Sequence, residues 1–338
     1  MIPLLTILSI GLNLFSRQSF LAGATLSPLP FLSQRQPNTH DDLVLPLQWL
    51  PVAGCLAVPI IVDDVYRYYA VVDTGSPFLT APPQVLPWTR FAAPDTWEQY
   101  GATPAALAWR RTPQVLVGGV VRVQNCQLSI IPEELRQDTG GLFLGLIAQD
   151  DARPTFLHQV KRQSFTVDYG ARTLTLYGTR SNPLDSYNGT TSVDQSTASF
   201  KLTDLSPYGP DLYHYAVEVE SLTLQTDKGD VSLQNCPRPI VVVIDTGLTG
   251  CIFSDSLEKD GCLPVPVEAI RGACLGLGNH CNLTSDATYW NLACFRLPWF
   301  TNDENHPHIV AAGATFLKQS RITVDAKRKR IQLSNLQQ

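Results

Sequence analysis

Several short motifs that mark common enzyme classes are missing from this sequence of 338 residues. It has no GxSxG turn, no HExxH metal-binding helix and no glycine-rich phosphate loop. It also lacks a CxxC pair and any Cys/His spacing typical of a metal site. His306-Pro307-His308 has no third ligand nearby in the sequence, so a solvated loop is the simpler interpretation. We therefore expect neither a metal nor a cofactor.

Charge is scarce and slightly acidic. Charged residues make up 16% of the chain, and 25 Lys and Arg stand against 30 Asp and Glu, which gives a net charge of -5. This balance provides no electrostatic footprint for nucleic acid. The basic run at 327–330 lies between ITVDA and IQL, which favours a solvated turn between two strands over a nuclear signal. With 44% apolar residues, the chain is long enough for two lobes, each with its own core.

The N-terminal apolar stretch at 2–15 is shorter than the about 20 residues that cross a bilayer, so we expect no membrane span. This stretch and Ala22-Gly23-Ala24 are typical of a secretory signal, which we place at 1–24. A secreted or vacuolar protein is the resulting prediction. No Lys or Arg precedes the stretch, and no Asp or Glu occurs in residues 1–40, as in many organelle transit peptides. Import into an organelle is therefore the alternative.

The eight cysteines are an even number, which fits a protein of the secretory route. Cys55 and Cys126 lie in the N-terminal half, and the other six lie in the C-terminal half. We predict that all disulfides form within a half, with Cys55–Cys126 joining two strands. Cys274–Cys281 is a plausible short closure, but six cysteines allow many pairings and the sequence does not choose among them.

Asn188-Gly189-Thr190 and Asn282-Leu283-Thr284 are acceptor motifs for N-glycosylation. Each motif is weak alone and has meaning only in a chain that enters the secretory route. Together with the leader and the cysteines, they predict a glycoprotein modified at Asn188 and Asn282.

The chain contains two copies of one unit. Three pairs of segments recur in the same order: VVDTGS (71–76) with VIDTG (243–247), LFLG (142–145) with IVAAG (309–313), and FTVDYGARTLTL (165–176) with ITVDAKRKRIQL (322–333). Asp73 and Asp245 are 172 residues apart, about half of the chain. Gly145 follows Asp73 by 72 residues, and Gly313 follows Asp245 by 68. Such matched spacing indicates an internal duplication.

The secondary-structure signal is rich in strands. Alternation of period two with β-branched residues runs through 115–123, 215–225 and both TVD segments. Helices are few and short, with candidates at 155–160 and 314–318. We predict an N-terminal lobe at 43–181 and a C-terminal lobe at 199–338. A short segment at 25–42 precedes them, and a polar linker at 182–198 separates them.

Asp73 and Asp245 are candidate catalytic residues because the duplication supplies a second copy of the same carboxyl group. Two carboxyl groups at hydrogen-bonding distance cannot both ionise cheaply, so such a pair holds one proton at mildly acidic pH. The ionised member can take a proton from water, and the protonated member can polarise a peptide carbonyl. The β-branched run before each Asp predicts a buried strand that aims the carboxyl group.

The residues after each Asp have physical roles as well. Gly75 and Gly247 permit a tight turn and a close approach of the backbone. Thr74 and Thr246 supply hydroxyl groups that can lock the two loops together. A single Asp-Thr-Gly would be an ordinary turn in most sequences, whereas two copies at matched positions are a strong signal.

These segments resemble the pepsin-like family of aspartic endopeptidases from about Leu43 to Leu333. The resemblance implies an all-β fold of two pseudo-symmetric lobes with a few short helices and a cleft between them. Asp73 and Asp245 match the catalytic pair, and Ser76 belongs to the first active-site loop. The resemblance also implies a monomer that cuts polypeptides at acidic pH, with apolar residues flanking the scissile bond.

The family has a hairpin flap with a tyrosine that closes over the substrate. Tyr100-Gly101 is the best match, because VLVGG at 115–119 follows at a family-like distance; an ordinary core tyrosine is the alternative. Phe78 would then help to form an apolar subsite. Gly145 and Gly313 match the glycines of the family's two psi-shaped loops.

The sequence departs from the family pattern at several positions. Thr80 stands where a Trp usually bonds the flap tyrosine, and Leu248 stands where a Thr or Ser usually bonds the second carboxylate. The segment at 25–42 has one basic residue, Arg35, and so gives little support for a basic propeptide. A non-catalytic scaffold that binds a protein or glycan is therefore the alternative function.

Overall fold

The computed structural model describes residues 40–51, 54–85, 96–100, 103–131, 142–150, 153–184, 197–209, 213–233, 236–279, 281–295 and 305–335. The predicted leader at 1–24 lies outside these residues, as do most of the segment at 25–42 and most of the linker at 182–198. The boundaries proposed for the two lobes remain predictions.

Strands dominate the described part of the chain, as the β-branched alternation predicts. Numbered along the chain, they are β1 (Leu43–Pro46), β2 (Gln48–Leu50), β3 (Cys55–Val62), β4 (Tyr66–Asp73), β5 (Thr80–Ala81), β6 (Thr96–Tyr100), β7 (Thr103–Val117), β8 (Val121–Ile130), β9 (Phe143–Gly145), β10 (Ser164–Asp168), β11 (Thr173–Leu176), β12 (Thr197–Lys201), β13 (Ala216–Val219), β14 (Ser221–Thr226), β15 (Gly229–Ser232), β16 (Ile240–Ile244), β17 (Cys251–Ser254), β18 (Ile270–Gly276), β19 (Asn282–Thr284), β20 (Leu292–Phe295), β21 (His308–Ala312), β22 (Ser320–Asp325) and β23 (Arg330–Asn335).

Helices in the described residues are single turns. The α-helices are α1 (Phe156–Gln159), α2 (Ser256–Lys259) and α3 (Ala314–Leu317), and the 3₁₀ helices are Pro83–Val85, Ser206–Tyr208 and Val267–Ala269. Two of the three α-helices fall on the segments predicted as helical, at 155–160 and 314–318. Thr155 caps α1, where its hydroxyl accepts a hydrogen bond from the backbone N–H of His158 at 3.1 Å. Within the described residues, no helix is long and apolar enough to cross a membrane.

Each half of the chain carries its own sheet structure. The N-terminal half contains an eight-stranded sheet. Six of its strands follow the order β5-β8-β7-β3-β4-β9; of the other two, β2 pairs with β3 and β6 pairs with β7. The C-terminal half has one sheet ordered β13-β16-β21-β17-β20 and another ordered β15-β14-β18-β19. All five residues of β16, Ile-Val-Val-Val-Ile, are buried, as expected for a strand covered on both faces.

A six-stranded sheet joins the halves in the order β1-β11-β10-β22-β23-β12. Its centre is the antiparallel pair β10 and β22, which are the two TVD segments of the repeat. Thr166 and Thr323 are partners in this register, and their hydroxyls lie 2.8 Å apart. The basic run falls on the turn at 326–329 and the start of β23, so the prediction of a turn between strands is confirmed. The duplicated units therefore meet along a pseudo-two-fold axis.

Candidate active site

Two equivalent loops begin where two central strands end. Asp73 is the last residue of β4, and Asp245 directly follows β16. β9 runs parallel to β4 and aligns Gly145 with Asp73. β21 runs parallel to β16, and the N–H of Asp245 donates to the carbonyl of Ala312 at 3.0 Å. Each carboxyl group is thus held by a buried strand, as the β-branched runs predict.

The glycine of each loop lies against the carboxyl group of the other loop. A β-carbon at Gly75 would sit 2.6 Å from Asp245 Oδ2, and one at Gly247 would sit 2.5 Å from Asp73 Cγ. Any larger residue would therefore displace a carboxyl group. The carboxyl groups of Asp73 and Asp245 are close enough for each to shift the pKa of the other. The structure brings together the two aspartates that the repeat singled out.

The threonines lock the loops with four hydrogen bonds. Thr74 Oγ1 donates to the carbonyl of Ile244 at 2.6 Å and accepts from the N–H of Thr246 at 3.0 Å. Thr246 Oγ1 donates to the carbonyl of Val72 at 2.7 Å and accepts from the N–H of Thr74 at 3.1 Å. All of these groups are buried. The two loops therefore form one rigid unit across the axis.

The surroundings of the two carboxyl groups give them different acidities. Burial raises the pKa of Asp73, while Ser76, the N–H of Gly75 at 2.7 Å and the other carboxyl group hold it down. Burial and the charge of Asp73 raise the pKa of Asp245 well above its ordinary value. The hydrogen bonds to Asp73 therefore favour the negative charge on Asp73 and the shared proton on Asp245.

An aspartic proteinase from Irpex lacteus is among the solved structures that this chain resembles. The two share 12% sequence identity at a TM-score of 0.51, over 87% of this chain and 97% of that protein. The fold is that of an aspartic proteinase. No protein-family model matches the chain, and no curated protein matches its sequence. The prediction of an all-β, two-lobed, pepsin-like fold is confirmed.

Two further glycines pack against the Asp-Thr-Gly loops. The N–H of Gly145 donates to the carbonyl of Phe78 at 2.9 Å, and the N–H of Leu146 donates to the backbone carbonyl of Asp73 at 2.7 Å. In the second copy, Gly313 donates to Gly250 at 3.0 Å. A β-carbon at either position would collide with backbone atoms of the catalytic-loop segment. These close contacts explain why a glycine ends each LFLG or IVAAG run.

The positions that depart from the family pattern have clear local roles. Thr80 is buried, and its hydroxyl accepts from the N–H of Phe143 at 2.6 Å, so it ties β5 to β9. The N–H of Leu248 donates to Asp245 Oδ1 at 3.2 Å, which keeps a backbone donor where a side-chain donor is missing. The hydroxyl of Ser76 is buried in the first loop beside Asp73.

The substrate-side predictions have a mixed outcome. β6 and β7 form a hairpin in which Tyr100 pairs with Thr103, so Tyr100 stands at a hairpin end as a flap residue would. Gly101 lies outside the described residues. Phe78 is 1% exposed and packs edge-on against Trp109 at 4.6 Å between ring centres. It therefore supports its neighbours and does not form the surface of a subsite, unlike the prediction.

Two residues that the sequence reasoning missed reach from one lobe to the catalytic loop of the other. Extending the Ala57–Val71 and Ala216–Val243 registers by two positions sets Cys55 beside Asp73 and His214 beside Asp245. Cys55 Sγ–H donates to the carbonyl of Gly247 at 3.6 Å, and the His214 ring bonds the backbone of Gly75. Cys55 and His214 are thus counterparts under the pseudo-symmetry. Only the strand register could have revealed them, because their side chains differ.

The predicted Cys55–Cys126 disulfide is wrong. All eight cysteines are free thiols in the structure, and these two lie toward opposite ends of the β3–β7–β8 ladder. Cys55 contacts the second catalytic loop, whereas Cys126 is paired with Thr112.

Cys274–Cys281 does not close a short loop either. Cys274 is aligned with Thr284, whose hydroxyl donates to Cys274 Sγ at 3.5 Å. Cys281 lies against Leu277, three residues further along the ladder. Asn282, the second predicted glycosylation site, is exposed on β19, and Asn188 lies outside the described residues.

Proposed function

We propose that this chain is an aspartic endopeptidase that hydrolyses peptide bonds at acidic pH with a water molecule activated by Asp73 and Asp245. The observation that carries this proposal is the geometry of the pair. Each carboxyl group lies against the glycine of the opposite loop, and the pKa values of the two groups are coupled and raised unequally. The likeness to an aspartic proteinase supports the fold on which this chemistry depends.

The reaction follows from the unequal acidities. Ionised Asp73 takes a proton from water as the water oxygen bonds the peptide carbon, and Asp245 gives its proton to the carbonyl oxygen. This step leaves a tetrahedral intermediate with Asp73 protonated and Asp245 ionised. Asp245 then recovers the proton from the intermediate, Asp73 donates its proton to the leaving nitrogen, and the C–N bond breaks. The pair returns to its starting state.

The remaining functional assignments belong to the same proposal. The substrates are polypeptides with apolar residues around the scissile bond, and the enzyme works as a monomer. It follows the secretory or vacuolar route and carries glycan on Asn282, whose exposure in β19 supports that modification. Thr74, Gly75, Ser76, Thr246 and Gly247 hold the loops, and Tyr100 closes over the cleft.

The decisive test is peptide hydrolysis over pH 2–8, with a peptide analogue bearing a tetrahedral hydroxyl as inhibitor. Asp73→Asn and Asp245→Asn should each abolish turnover, because each carboxyl group has a separate proton role. Asp227→Asn, at a side chain that is 72% exposed in a surface ion pair, is the matched control and should retain activity. Substantial turnover by either catalytic variant would exclude this mechanism.

The same assay distinguishes the alternative, a pepsin-like scaffold that binds without cutting. Leu248 is the observation that favours it, because the side-chain hydroxyl expected beside the second carboxyl group is absent. Tight binding of the tetrahedral analogue without any cleavage of peptides would support the scaffold over the enzyme.

A further inference from the structure

A polar cluster lies where β16 and β21 begin, away from the catalytic loops at the other ends of these strands. Arg238 bonds Asp260 Oδ2 through two nitrogens, at 2.5 and 2.8 Å, and its third nitrogen donates to the carbonyl of His306 at 3.2 Å. The N–H of His308 donates to the carbonyl of Pro239 at 2.8 Å. Three chain segments are therefore fixed against one another.

His308 is the centre of this cluster. Its side chain is fully buried, with Nδ1 at 2.9 Å from Ser256 Oγ and Nε2 at 3.4 Å from Cys262 Sγ. Burial, with a smaller effect from Arg238, lowers the pKa of His308 to about 4. The ring is therefore neutral at mildly acidic and neutral pH. The interpretation of His306-Pro307-His308 as a solvated loop is wrong, since both histidines are buried.

Two cysteines lie next to the Arg238–Asp260 ion pair in the sequence. Cys236 precedes Arg238 by two residues, and Cys262 follows Asp260 by two residues. Cys236 is close enough to raise the pKa of the Cys262 thiol, and it packs against the core cluster that contains Cys262. Cys262 is 5% exposed, whereas Cys236 is partly exposed. A reagent in solution can therefore reach Cys236 first.

We propose that Cys236 and Cys262 form a disulfide on exposure to a small-molecule disulfide such as glutathione disulfide. Two features support this pair over the others: the proximity of the two side chains, and a salt bridge that joins residues two positions from each cysteine. The pair also lies within one half of the chain, in agreement with the disulfide pattern predicted from the sequence.

The disulfide forms by two successive thiol–disulfide exchange steps. The Cys236 thiolate attacks one sulfur of glutathione disulfide, forms a mixed disulfide and releases one glutathione thiolate. The Cys262 sulfur then attacks the Cys236 sulfur and expels the second glutathione, and the proton of the Cys262 thiol passes to the departing glutathione sulfur. The two cysteines lose two electrons in total, which reduce one glutathione disulfide to two thiols.

The position of the bond gives it a structural consequence. β16 runs from the cluster to Asp245, and β21 runs from His308 to Gly313. A covalent link between Cys236 and Cys262 would therefore fix the base of both strands that carry the second catalytic loop. It would close a loop 26 residues long and restrict the unfolded chain.

The test is a map of thiols and disulfides in the full-length native protein. The reduced protein is incubated with excess glutathione disulfide at pH 8, denatured, trapped with a maleimide and digested with trypsin and a protease that cleaves before Asp. These cuts isolate Cys236 in peptide 230–244 and Cys262 in peptide 260–271, apart from Cys251 and Cys274. We expect a linked peptide pair whose mass is two hydrogens below the sum of the two peptides.

Matched variants and a second readout complete the experiment. Cys262→Ala should abolish the link and leave Cys236 trapped by maleimide or glutathione. Oxidation should raise the Tm of the wild-type protein by about 5 °C and leave the Tm of the Cys236→Ala/Cys262→Ala variant unchanged. Maleimide on both cysteines after equilibration, or a link from either one to another cysteine, would overturn the proposal. None of these readouts depends on peptidase activity.

Discussion

Asp73 and Asp245 are chemically identical side chains, and the difference between them comes from the residues around each one. Asp73 accepts a short bond from Gly75 and interacts with Ser76. Asp245 accepts longer bonds, at 3.0 Å from Gly247 and 3.2 Å from Leu248. Since hydrogen bonds to a carboxylate favour its charged form, Asp73 holds the negative charge more easily.

At the scale of single residues, Leu248 leads to a testable prediction. The Leu248→Thr variant gains a hydroxyl donor beside Asp245, which stabilises negative charge shared by the coupled pair and so lowers both of its apparent pKa values, including the lower one. The acid limb of the rate profile reports that pKa, so it should move to lower pH by about one unit or less. The measurement is kcat against pH for peptide hydrolysis. Leu248→Val, which changes size without adding a donor, is the control; an acid limb that stays in place in Leu248→Thr would contradict the argument.

At the scale of elements, the two Asp-Thr-Gly loops are joined by buried hydrogen bonds. The threonine hydroxyls each satisfy one carbonyl and one N–H of the opposite strand-loop unit. Cys55 and His214 add contacts from the neighbouring strands. The geometry of the active site and the stability of the interface between lobes should therefore change together.

Thr246→Val tests this coupling. Valine has the same shape but leaves the carbonyl of Val72 and the N–H of Thr74 without partners in a buried site, at about 1–3 kcal/mol for each group. We expect the free energy of unfolding to fall by about 2–5 kcal/mol, with most activity lost. Urea unfolding measures the first effect, and peptide hydrolysis measures the second.

Two controls sharpen the test. Thr246→Ser keeps the hydroxyl and should retain most of the stability. Thr223→Val removes a hydroxyl from an exposed cross-strand pair with Ser232, at 3.1 Å, and should change stability by about 0.5 kcal/mol or less. Equal losses in Thr246→Val and Thr223→Val would show that the cross-lobe bonds contribute nothing special.

At this scale, the sequence predicted the elements that belong to its internal repeat. The TVD segments became β10 and β22, and the two Asp-Thr-Gly loops met as expected, because duplicated segments occupy equivalent places in a duplicated fold. Cys55–Cys126 failed because a count of cysteines in each half carries no information on distance. The contact of His214 could not be predicted from the sequence for a related reason, because it depends on the strand register between residues far apart in sequence.

At the scale of the whole molecule, the two halves share a six-stranded sheet and several bonds across the axis. Tyr215 extends the connection, since its hydroxyl donates to the carbonyl of Leu146 at 2.6 Å and accepts from the N–H of Ala148 at 3.1 Å. The protein also buries groups whose titration changes the folding stability in opposite directions. Burial raises the pKa of Asp245 and lowers the pKa values of His214 and His308 to about 4.

These shifts act on stability with opposite signs. Asp245 has a folded pKa above its unfolded value, so the folded state holds the extra proton and loses stability as pH rises through that range. His308 has a folded pKa below its unfolded value, near 6.5, so the unfolded state binds the extra proton. Its contribution is complete above about pH 6.5 and is lost as pH falls toward 4, by at most about 1.4 kcal/mol per pH unit.

A comparison of two variants over pH 4–7 tests both signs. In His308→Gln the titrating group is gone, so the stability advantage of the wild-type protein over this variant should shrink by about 3 kcal/mol as pH falls from 7 to 4. In Asp245→Asn the trend should reverse, because the wild-type protein alone bears the cost of a buried charge as pH rises. Urea unfolding at each pH gives both differences, and a constant offset caused by lost packing cancels within each series. Stability curves parallel to wild type in His308→Gln would show that His308 does not titrate between its folded and unfolded states, and would remove the histidine from this account of acid sensitivity.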